Sequence, residues 1–309
     1  MNVLRNALLW SSQNKWIERQ FRRRRFAQRA ISRFMPGETV DAALDAAEGL
    51  KGRGIGTIVS CLGENVSSAA EIESVAEHYV EVLEKIQTRR LDTHISIKPT
   101  HLGLDVDADL TADHLETLLA EAASRKNFVW IDMESSGYVD QTLDLFRRAR
   151  DRHENVGVCL QAYLYRTAQD LEDLLARDAV IRLVKGAYKE SPKVAFPQKR
   201  DVDGNYLALA AKLLDHSKGS SSLPPAIATH DLEVIRELRQ MATERSVPRE
   251  RFEIDMLFGI RTAEQYRLTD AGIPTRVLIS YGEAWFAWYM RRLAERPANM
   301  GFVLRSMVR

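Results

Sequence analysis

The segment IGTIVSC at 55–61 is a short, apolar, β-rich run, and the segment SAAEIESVAEHYVEVLEKI at 68–86 that follows it has the pattern of a helix. The same pair of signals recurs along the chain. The apolar runs that predict strands are 55–61, 93–98, 127–132, 155–161, 180–185, 225–229, 251–257 and 275–280. Strands that alternate with helices are typical of parallel sheets with right-handed crossovers. We therefore predict an α/β fold, a TIM-type (β/α)8 barrel.

Length and composition agree with this prediction. The chain has 309 residues, 44 basic and 43 acidic, and a hydrophobic share of 45%. This suits one α/β barrel or two ordinary domains. The alternative fold is an open doubly wound sheet, but no G-x-G-x-x-G motif follows the first predicted strand. The barrel is therefore preferred.

The first 36 residues differ from the rest, since they contain nine basic residues and the single acid Glu18. Pro36 and Gly37 then break the chain, so we predict a basic amphipathic helical arm at 1–36 and a catalytic barrel at 37–309. Such an arm could lie on an anionic membrane, bind nucleic acid, act as a targeting peptide or pack on the barrel. No apolar run is long enough to span a bilayer and no signal-peptide pattern opens the chain, which predicts a soluble or peripheral protein.

Metal chemistry is not predicted. Cys61 and Cys159 are isolated in predicted strands, which favours core positions in a reducing compartment over a disulfide or a metal cluster. The seven histidines are scattered and form no zinc-binding motif.

Polar residues gather where the predicted strands end, which is where barrel enzymes carry their chemistry. They are Lys98, Asp132, Glu134, Gln161, Arg182, Lys185, Gly186, Tyr188, Thr229, His230, Asp231, Glu253 and Asp255. Any one of them could be a scaffold residue. Their repetition over six consecutive strands favours a functional site.

Within this set, the run RLVKGAYKE at 182–190 is the most informative. Gly186 would let the backbone approach a bulky planar or phosphorylated ligand, and the cations Arg182 and Lys185 would offset negative charge. His230 could donate to a phosphate or ring oxygen, although a lone histidine at a strand end is more often structural.

The segment YGEAWFAWYMRRLAERPAN at 281–299 has the apolar spacing of a helix that ends near Pro297. Helical geometry places Glu295 between Arg291 and Arg292 on one face. Two guanidinium groups grip a carboxylate and a glutamate can hold an ammonium, so the patch suits a zwitterion. The alternative is a solvated charged face.

Seven segments together resemble the motif series of the proline dehydrogenase family. They are SIKPTHLGLD (96–105), IDMES (131–135), LQAYLYRT (160–167), RLVKGAY (182–188), ATHD (228–231), FEIDMLFGIR (252–261) and RRLAERPAN (291–299). The segments occur in the same order as in the family, and the match runs from about residue 37 to the end of the chain. The resemblance implies a distorted (β/α)8 barrel, FAD at the carboxyl ends of its strands, and a last helix that binds substrate.

The resemblance also implies a role for each matching residue. Arg291, Arg292 and Lys98 would clamp the carboxylate of proline, Glu295 would face the ring nitrogen, and Tyr188 would cover the ring. Asp132 would fix the substrate end of the site, and Arg182 would stabilise reduced flavin. The residues that would line FAD are Met133, Gln161, Arg182, Val184, Lys185, Gly186, Ala187, Thr229 and His230.

The chain departs from the family pattern at two places. In VLISYG, Leu278 stands where the family usually has a tyrosine against the substrate ring, and Ser280 stands where it has a proline. The substrate could therefore be proline, 4-hydroxyproline or another cyclic imino acid. Asp255 stands where a glutamine is usual.

The resemblance further implies hydride transfer from proline to FAD, giving 1-pyrroline-5-carboxylate, and transfer of the electrons to a membrane quinone. It favours a cytoplasmic protein that contacts the inner membrane through the arm, which could equally mediate homo-oligomer contacts. Two other functions are weighed against this one. A flavin-free barrel lyase would use Lys98 or Lys185 as a Schiff-base nucleophile. A nucleic-acid-binding role for the arm is disfavoured by the overall charge of +1.

Overall fold

A computed structural model describes residues 33–64, 66–220 and 223–286. The predicted arm at 1–36 lies outside the described residues except for 33–36. The described part of the predicted closing helix ends at Phe286, so Arg291, Arg292 and Glu295 also lie outside it.

Strands and helices alternate along the described chain. The strands are β1 Gly56–Cys61, β2 Thr93–Ile97, β3 Val129–Ile131, β4 Val156–Gln161, β5 Val180–Val184, β6 Ala226–Ala228, β7 Glu253–Leu257 and β8 Thr275–Tyr281. The helices are α1 Val40–Lys51, α2 Ala69–Thr88, α3 Ala108–Ser124, α4 Val139–Arg150, α5 Thr167–Leu175, α6 Lys199–Ser217, α7 Leu232–Glu244 and α8 Thr262–Asp270. Short 3-10 helices lie at Ser136–Tyr138 and Arg249–Arg251.

The strands form a closed, parallel barrel in the order in which they occur in the chain. The barrel closes where β1 pairs with β8, from Gly56 opposite Arg276 to Cys61 opposite Tyr281. The predicted (β/α)8 barrel is thus confirmed. All the parallel strands end at one face of the barrel, so residues that follow different strands meet there.

Side-chain caps fix several helix starts. Thr39, Ser68, Asp107 and Asp231 each accept a backbone N–H at the start of α1, α2, α3 and α7 respectively. These residues satisfy N–H groups that have no partner within the helix. Asp231 therefore has a structural task as well as a place at the carboxyl end of β6.

The β3 strand is shorter than the predicted run 127–132, and the Asn127 side chain bonds to backbone groups just before it. Its Nδ2 donates to the Thr93 carbonyl at 2.9 Å and its Oδ1 accepts from Phe128 N at 2.7 Å. Beyond the strand, Asp132 N still donates to the Ile97 carbonyl at 2.8 Å. Asp132 is therefore held by backbone pairing immediately after Ile131.

Two apolar regions stabilise the barrel. The larger lies between the strands and the helices, and a smaller cluster contains Ile58, Phe128, Trp130, Val180 and Ala226, with Leu278 packed against it. Near the start of β8, the buried Arg276 pairs with Glu253 at 3.1 Å and with Asp92 at 3.0 Å. Within the described residues, no helix is both long enough and apolar enough to cross a membrane.

Candidate active site

A cavity of about 420 Å³ lies at the carboxyl ends of the strands. It is lined by every described residue to which the family resemblance gives a role. They are Lys98, Asp132, Met133, Gln161, Arg182, Val184, Lys185, Gly186, Ala187, Tyr188, Thr229, His230 and Leu278. Asp231 and Asp255 also line the cavity, as predicted. The prediction was wrong for Glu134 and Glu253, which do not line it: Glu134 accepts a hydrogen bond from Thr100, and Glu253 begins β7, where it pairs with Arg276.

Asp132 and Arg182 form the charged centre of the cavity. Arg182 Nη2 donates to Asp132 Oδ1, and the side chain of Arg182 is 3% exposed. On the other side of the carboxylate, Lys98 Nζ lies 3.8 Å from Oδ2. One carboxylate thus faces two cations, which leaves positive charge at this end of the cavity.

Other side chains hold the Arg182 guanidinium in place. Its Nε donates to Cys159 Sγ at 2.8 Å, and its Nη2 also donates to Ser96 Oγ at 2.8 Å. Ser96 Oγ donates in turn to Asp132 Oδ1 at 2.9 Å. The guanidinium carbon lies 5.1 Å from the centre of the Trp130 ring. Ser96, Trp130 and Cys159 lie in barrel strands and Asp132 directly follows one, so the sheet sets the orientation of Arg182.

These contacts set the protonation of the centre. Burial by itself would raise the pKa of Asp132, but the Arg182 and Lys98 charges outweigh burial and the pKa is lowered. Burial raises the pKa of the Cys159 thiol to about 12. Asp132 is therefore an anion and Cys159 a neutral thiol at physiological pH.

A second charged cluster lies near the ends of β5 and β6. Lys185 Nζ lies 2.5 Å from Asp203 Oδ1 and 3.3 Å from Asp231 Oδ2. Lys199 contacts the same two carboxylates. Because Lys185, Lys199 and Asp231 line the cavity, these charges are within reach of a ligand that enters it.

Gly186 has a backbone conformation that other residues rarely adopt, with φ at +115°. A Cβ atom at this position would lie 2.3 Å from the Tyr163 ring. The glycine therefore allows the chain after β5 to turn tightly against an aromatic ring. Its conformation and its contact with Tyr163 explain why the RLVKGAY segment contains a glycine here.

His230 has a structural contact. Its Nε2 accepts a hydrogen bond from Leu257 N at 2.8 Å, and this bond links the end of β6 to β7. With Nε2 as the acceptor, the neutral ring carries its proton on Nδ1, so the donor role considered for this side chain would fall to Nδ1.

Four residues that line the cavity carry buried polar atoms without a hydrogen-bond partner in the described structure. These atoms are Ser60 Oγ, Gln161 Oε1, Arg182 Nη1 and both carboxyl oxygens of Asp255. Burying a polar group without a partner costs about 1–3 kcal/mol. A ligand that presents both donors and acceptors would remove that cost.

Sequence reasoning did not assign a role to some cavity residues. Cys159 lies two residues before Gln161, and Ser280 lies two residues after Leu278. Side chains two apart on a strand face the same side, so counting back by two from Gln161 would have found Cys159. No comparable signal marks Lys199, which starts α6 far from any strand. Among the described residues, no cluster of His, Cys, Asp or Glu could hold a metal ion.

Comparisons with known proteins agree with the geometry. Residues 43–305 match the family model described as proline dehydrogenase. The chain is 39% identical over 280 residues to Proline dehydrogenase 2 of Bacillus subtilis (strain 168), covering 91% of each chain. It is 33% identical over 312 residues to Proline dehydrogenase of Deinococcus radiodurans, covering 99% of this chain and 98% of that one.

The fold also resembles solved structures. Proline utilization A (PutA) from Bdellovibrio bacteriovorus superposes with a TM-score of 0.81 at 22% identity, over 93% of this chain and 38% of the PutA chain. At this identity the likeness concerns the fold alone.

Proposed function

The chain belongs to the proline dehydrogenase family of oxidoreductases, as its motifs predicted, and we propose that it oxidises L-proline to 1-pyrroline-5-carboxylate with FAD as cofactor. The observation that carries the proposal is that motif residues from six successive strands, β2 to β7, line one cavity. Family membership supports the substrate, and the chemistry of the cavity wall supports a flavin.

The polar atoms of the cavity wall fit an isoalloxazine ring. Gln161 Oε1 needs a donor and Arg182 Nη1 needs an acceptor, and the pyrimidine edge of a flavin presents both N–H and C=O groups. Met133, Val184 and Ala187 supply apolar contact beside them. Lys185, Gly186, Thr229 and His230 lie along the same wall, where the rest of FAD would be held.

When bound, FAD supplies the hydride acceptor of the reaction. The chain's own residues orient the substrate and set the field around it. Arg182 brings a buried positive charge to the cavity, and Asp132 fixes the orientation of that charge. The amine of proline must be uncharged to react, and the cations Lys98 and Arg182 favour its loss of a proton.

We propose that residues outside the described part of the chain complete the substrate end of the site. We assign the carboxylate of proline to Arg291, Arg292 and Lys98, and the ring nitrogen to Glu295. Tyr188 lines the cavity and would cover the substrate ring. Two arginines suit this task because guanidinium groups bind a carboxylate through paired hydrogen bonds.

Electrons must then leave the flavin. We assign the acceptor to a membrane quinone and the protein to the cytoplasm, in peripheral contact with the inner membrane. The basic composition of residues 1–36 supports contact with an anionic lipid surface. The same segment could join subunits of a homo-oligomer, and binding to anionic vesicles with and without it would distinguish the two roles.

The test of the proposed function is the spectrum and turnover of the purified protein. We expect a yellow protein whose flavin bands bleach on addition of L-proline and recover with a quinone analogue. The product should form a coloured adduct with ortho-aminobenzaldehyde. A colourless protein that neither binds FAD nor oxidises proline would refute the proposal.

A second candidate substrate is 4-hydroxyproline, favoured by Leu278. This side chain lines the cavity and packs against the cluster that contains Trp130. It has no hydroxyl and is smaller than the usual tyrosine, so a ring with a substituent at its 4-position has more space.

The flavin-free lyase is disfavoured by the lysines themselves. Lys98 lies 3.8 Å from Asp132, and Lys185 lies 2.5 Å from Asp203. A Schiff-base nucleophile must be an uncharged amine, and an ion pair with a carboxylate is a poor setting for one. Borohydride trapping with a carbonyl substrate would reveal such a lysine.

A further inference from the structure

Asp255 is a buried acid without an assigned role. It lies in the middle of β7, is 3% exposed and lines the cavity. Neither of its carboxyl oxygens accepts a hydrogen bond from a described residue. A carboxylate in that position would bear a full charge without the donors that buried charges require.

The cation that could neutralise Asp255 from the neighbouring strand is already engaged. Arg276 lies opposite Asp255 in the β7–β8 register. Its Nε donates to both carboxylate oxygens of Glu253 at 3.1 and 3.2 Å, and its Nη1 donates to Asp92 at 3.0 Å. Glu253 and Asp255 are two residues apart on one strand, so both carboxyls face the same side and repel each other when ionised.

Arg182 is the other cation that interacts electrostatically with Asp255. Asp132 already balances its charge, and its Nη2 and Nε are used by Asp132, Ser96 and Cys159. Arg182 Nη1 has no partner in the described structure. An ionised Asp255 would therefore place a second carboxylate on one guanidinium and cancel the positive charge that Asp132, Arg182 and Lys98 leave at this end of the cavity.

The charges around Asp255 act in both directions. Burial and the Glu253 carboxylate raise the pKa of Asp255, Arg182 and Arg276 lower it, and the net result is a pKa well above the ordinary value. The other titratable groups that interact with this set are Asp132, Cys159, Tyr206, His94 and Asp92.

We propose that Asp255 is a neutral carboxylic acid in the working protein, and that it is a positioning residue that leaves the charge of Arg182 available to the ligand in the cavity. The Asp255 carboxyl interacts with Glu253 on the same strand and also lines the cavity. The consequence for a bound flavin rests on the proposed function, whereas the protonation state of Asp255 does not.

The first test compares unfolding of the wild type and Asp255→Asn in urea as a function of pH. A folded protein that keeps a proton released by the unfolded chain loses stability as pH rises. We expect the unfolding constant of the wild type, relative to Asp255→Asn, to increase about tenfold per pH unit, from about pH 4 to the pKa of folded Asp255. A flat ratio, or one that falls with pH, would overturn the proposal.

Asp203→Asn is a matched control of opposite sign. Burial acts to raise the pKa of Asp203, but hydrogen bonds from Lys185 and Lys199 outweigh it and lower the pKa. The stability that this carboxylate contributes is present at neutral pH and is lost as pH falls. The unfolding constant of the wild type, relative to Asp203→Asn, should therefore be smallest at neutral pH and rise in acid.

The second test measures the midpoint potential of the bound flavin as a function of pH. A residue with a purely structural role would not change how this potential depends on pH. We expect the potentials of the wild type and Asp255→Asn to coincide below the pH at which their stability ratio stops growing. Above that pH, the wild-type potential should become the lower one. A constant offset at every pH would mean that Asp255 is always ionised.

If Asp255→Asn does not fold, infrared spectroscopy of the wild type decides the question. Among the described aspartates with a resolved pKa shift, Asp255 alone has a raised pKa. Labelling aspartate with ¹³C at the side-chain carboxyl should shift a carboxylic-acid C=O band at neutral pH. The absence of a shifted band would overturn the proposal, and its presence does not depend on flavin.

Discussion

The carboxylate of Asp132, immediately after β3, accepts a hydrogen bond from the guanidinium of Arg182 on β5, across the intervening strand β4. The strands place both residues at the cavity, where Arg182 is almost fully buried. A buried pair of this kind is costly to break, because the remaining partner is left as an unpaired charge.

Substitution of Asp132 by asparagine should therefore lower both stability and activity. We expect a loss of about 3 kcal/mol in the free energy of unfolding. Proline turnover should fall by roughly 100-fold, because the orientation of the Arg182 charge is no longer fixed. Urea denaturation and steady-state dye reduction measure the two effects.

Cys159→Ser is the matched control for Asp132→Asn. A serine hydroxyl can accept from Arg182 and donate to Asp132, as the thiol does in the native protein. We expect a stability change of less than about 1.5 kcal/mol and near-normal turnover. If Cys159→Ser lost more stability or turnover than Asp132→Asn, the Asp132–Arg182 pair would not be the main stabilising contact of this site.

Much of this arrangement could be predicted from the sequence, because parallel strands end at one face. Lys98, Asp132 and Gln161 do lie at strand ends, and this was sufficient to bring them together. Arg182 was also predicted at a strand end, but it lies in the middle of β5 and still lines the cavity. The features that the sequence could not predict are contacts between side chains on different strands. The protonation of Asp255 depends on Arg276 being already occupied by Glu253 and Asp92, and neither contact can be read from residue order.

Gly186→Ala should disturb the wall of the cavity. The substitution adds a Cβ atom in a left-handed conformation and within 2.3 Å of the Tyr163 ring. We expect a loss of about 1–3 kcal/mol in unfolding free energy and weaker retention of FAD. Thermal unfolding and flavin content after gel filtration measure the two effects.

Gly204→Ala is the control, since Gly204 lies inside α6 and a Cβ atom there meets nothing within 4 Å. Alanine favours a helix interior over glycine by about 1 kcal/mol, so this variant should be more stable than the wild type. If both substitutions changed the unfolding free energy by the same small amount, the backbone conformation of Gly186 and its contact with Tyr163 would not be important for stability.

His101 should make the protein less stable in mild acid. Burial, with a smaller effect of Lys98, lowers its pKa from 6.5 to about 4. Between pH 6.5 and about 4, His101 is therefore protonated in the unfolded chain but not in the folded protein. The free energy of unfolding falls as pH is lowered through this range. The loss is about 1.4 kcal/mol per pH unit. His101→Gln should give a flatter curve of unfolding free energy against pH, and an unchanged slope would show that another group is responsible.

Leu278→Tyr should change the choice of substrate. Leu278 lines the cavity beside Ser280, and its strand neighbour in the register is Ile58. A tyrosine ring at this position would fill space that a 4-hydroxyl group can otherwise occupy. We expect the wild type to oxidise trans-4-hydroxy-L-proline as well as L-proline. In the tyrosine variant, the ratio of kcat/KM for proline to that for hydroxyproline should rise by at least about 10-fold, because pocket shape discriminates by about 1–3 kcal/mol.

Leu278→Met keeps nearly the same volume and should leave the ratio unchanged. Parallel steady-state assays of the three proteins decide the matter, and equal ratios in the wild type and the tyrosine variant would remove Leu278 from the account of specificity.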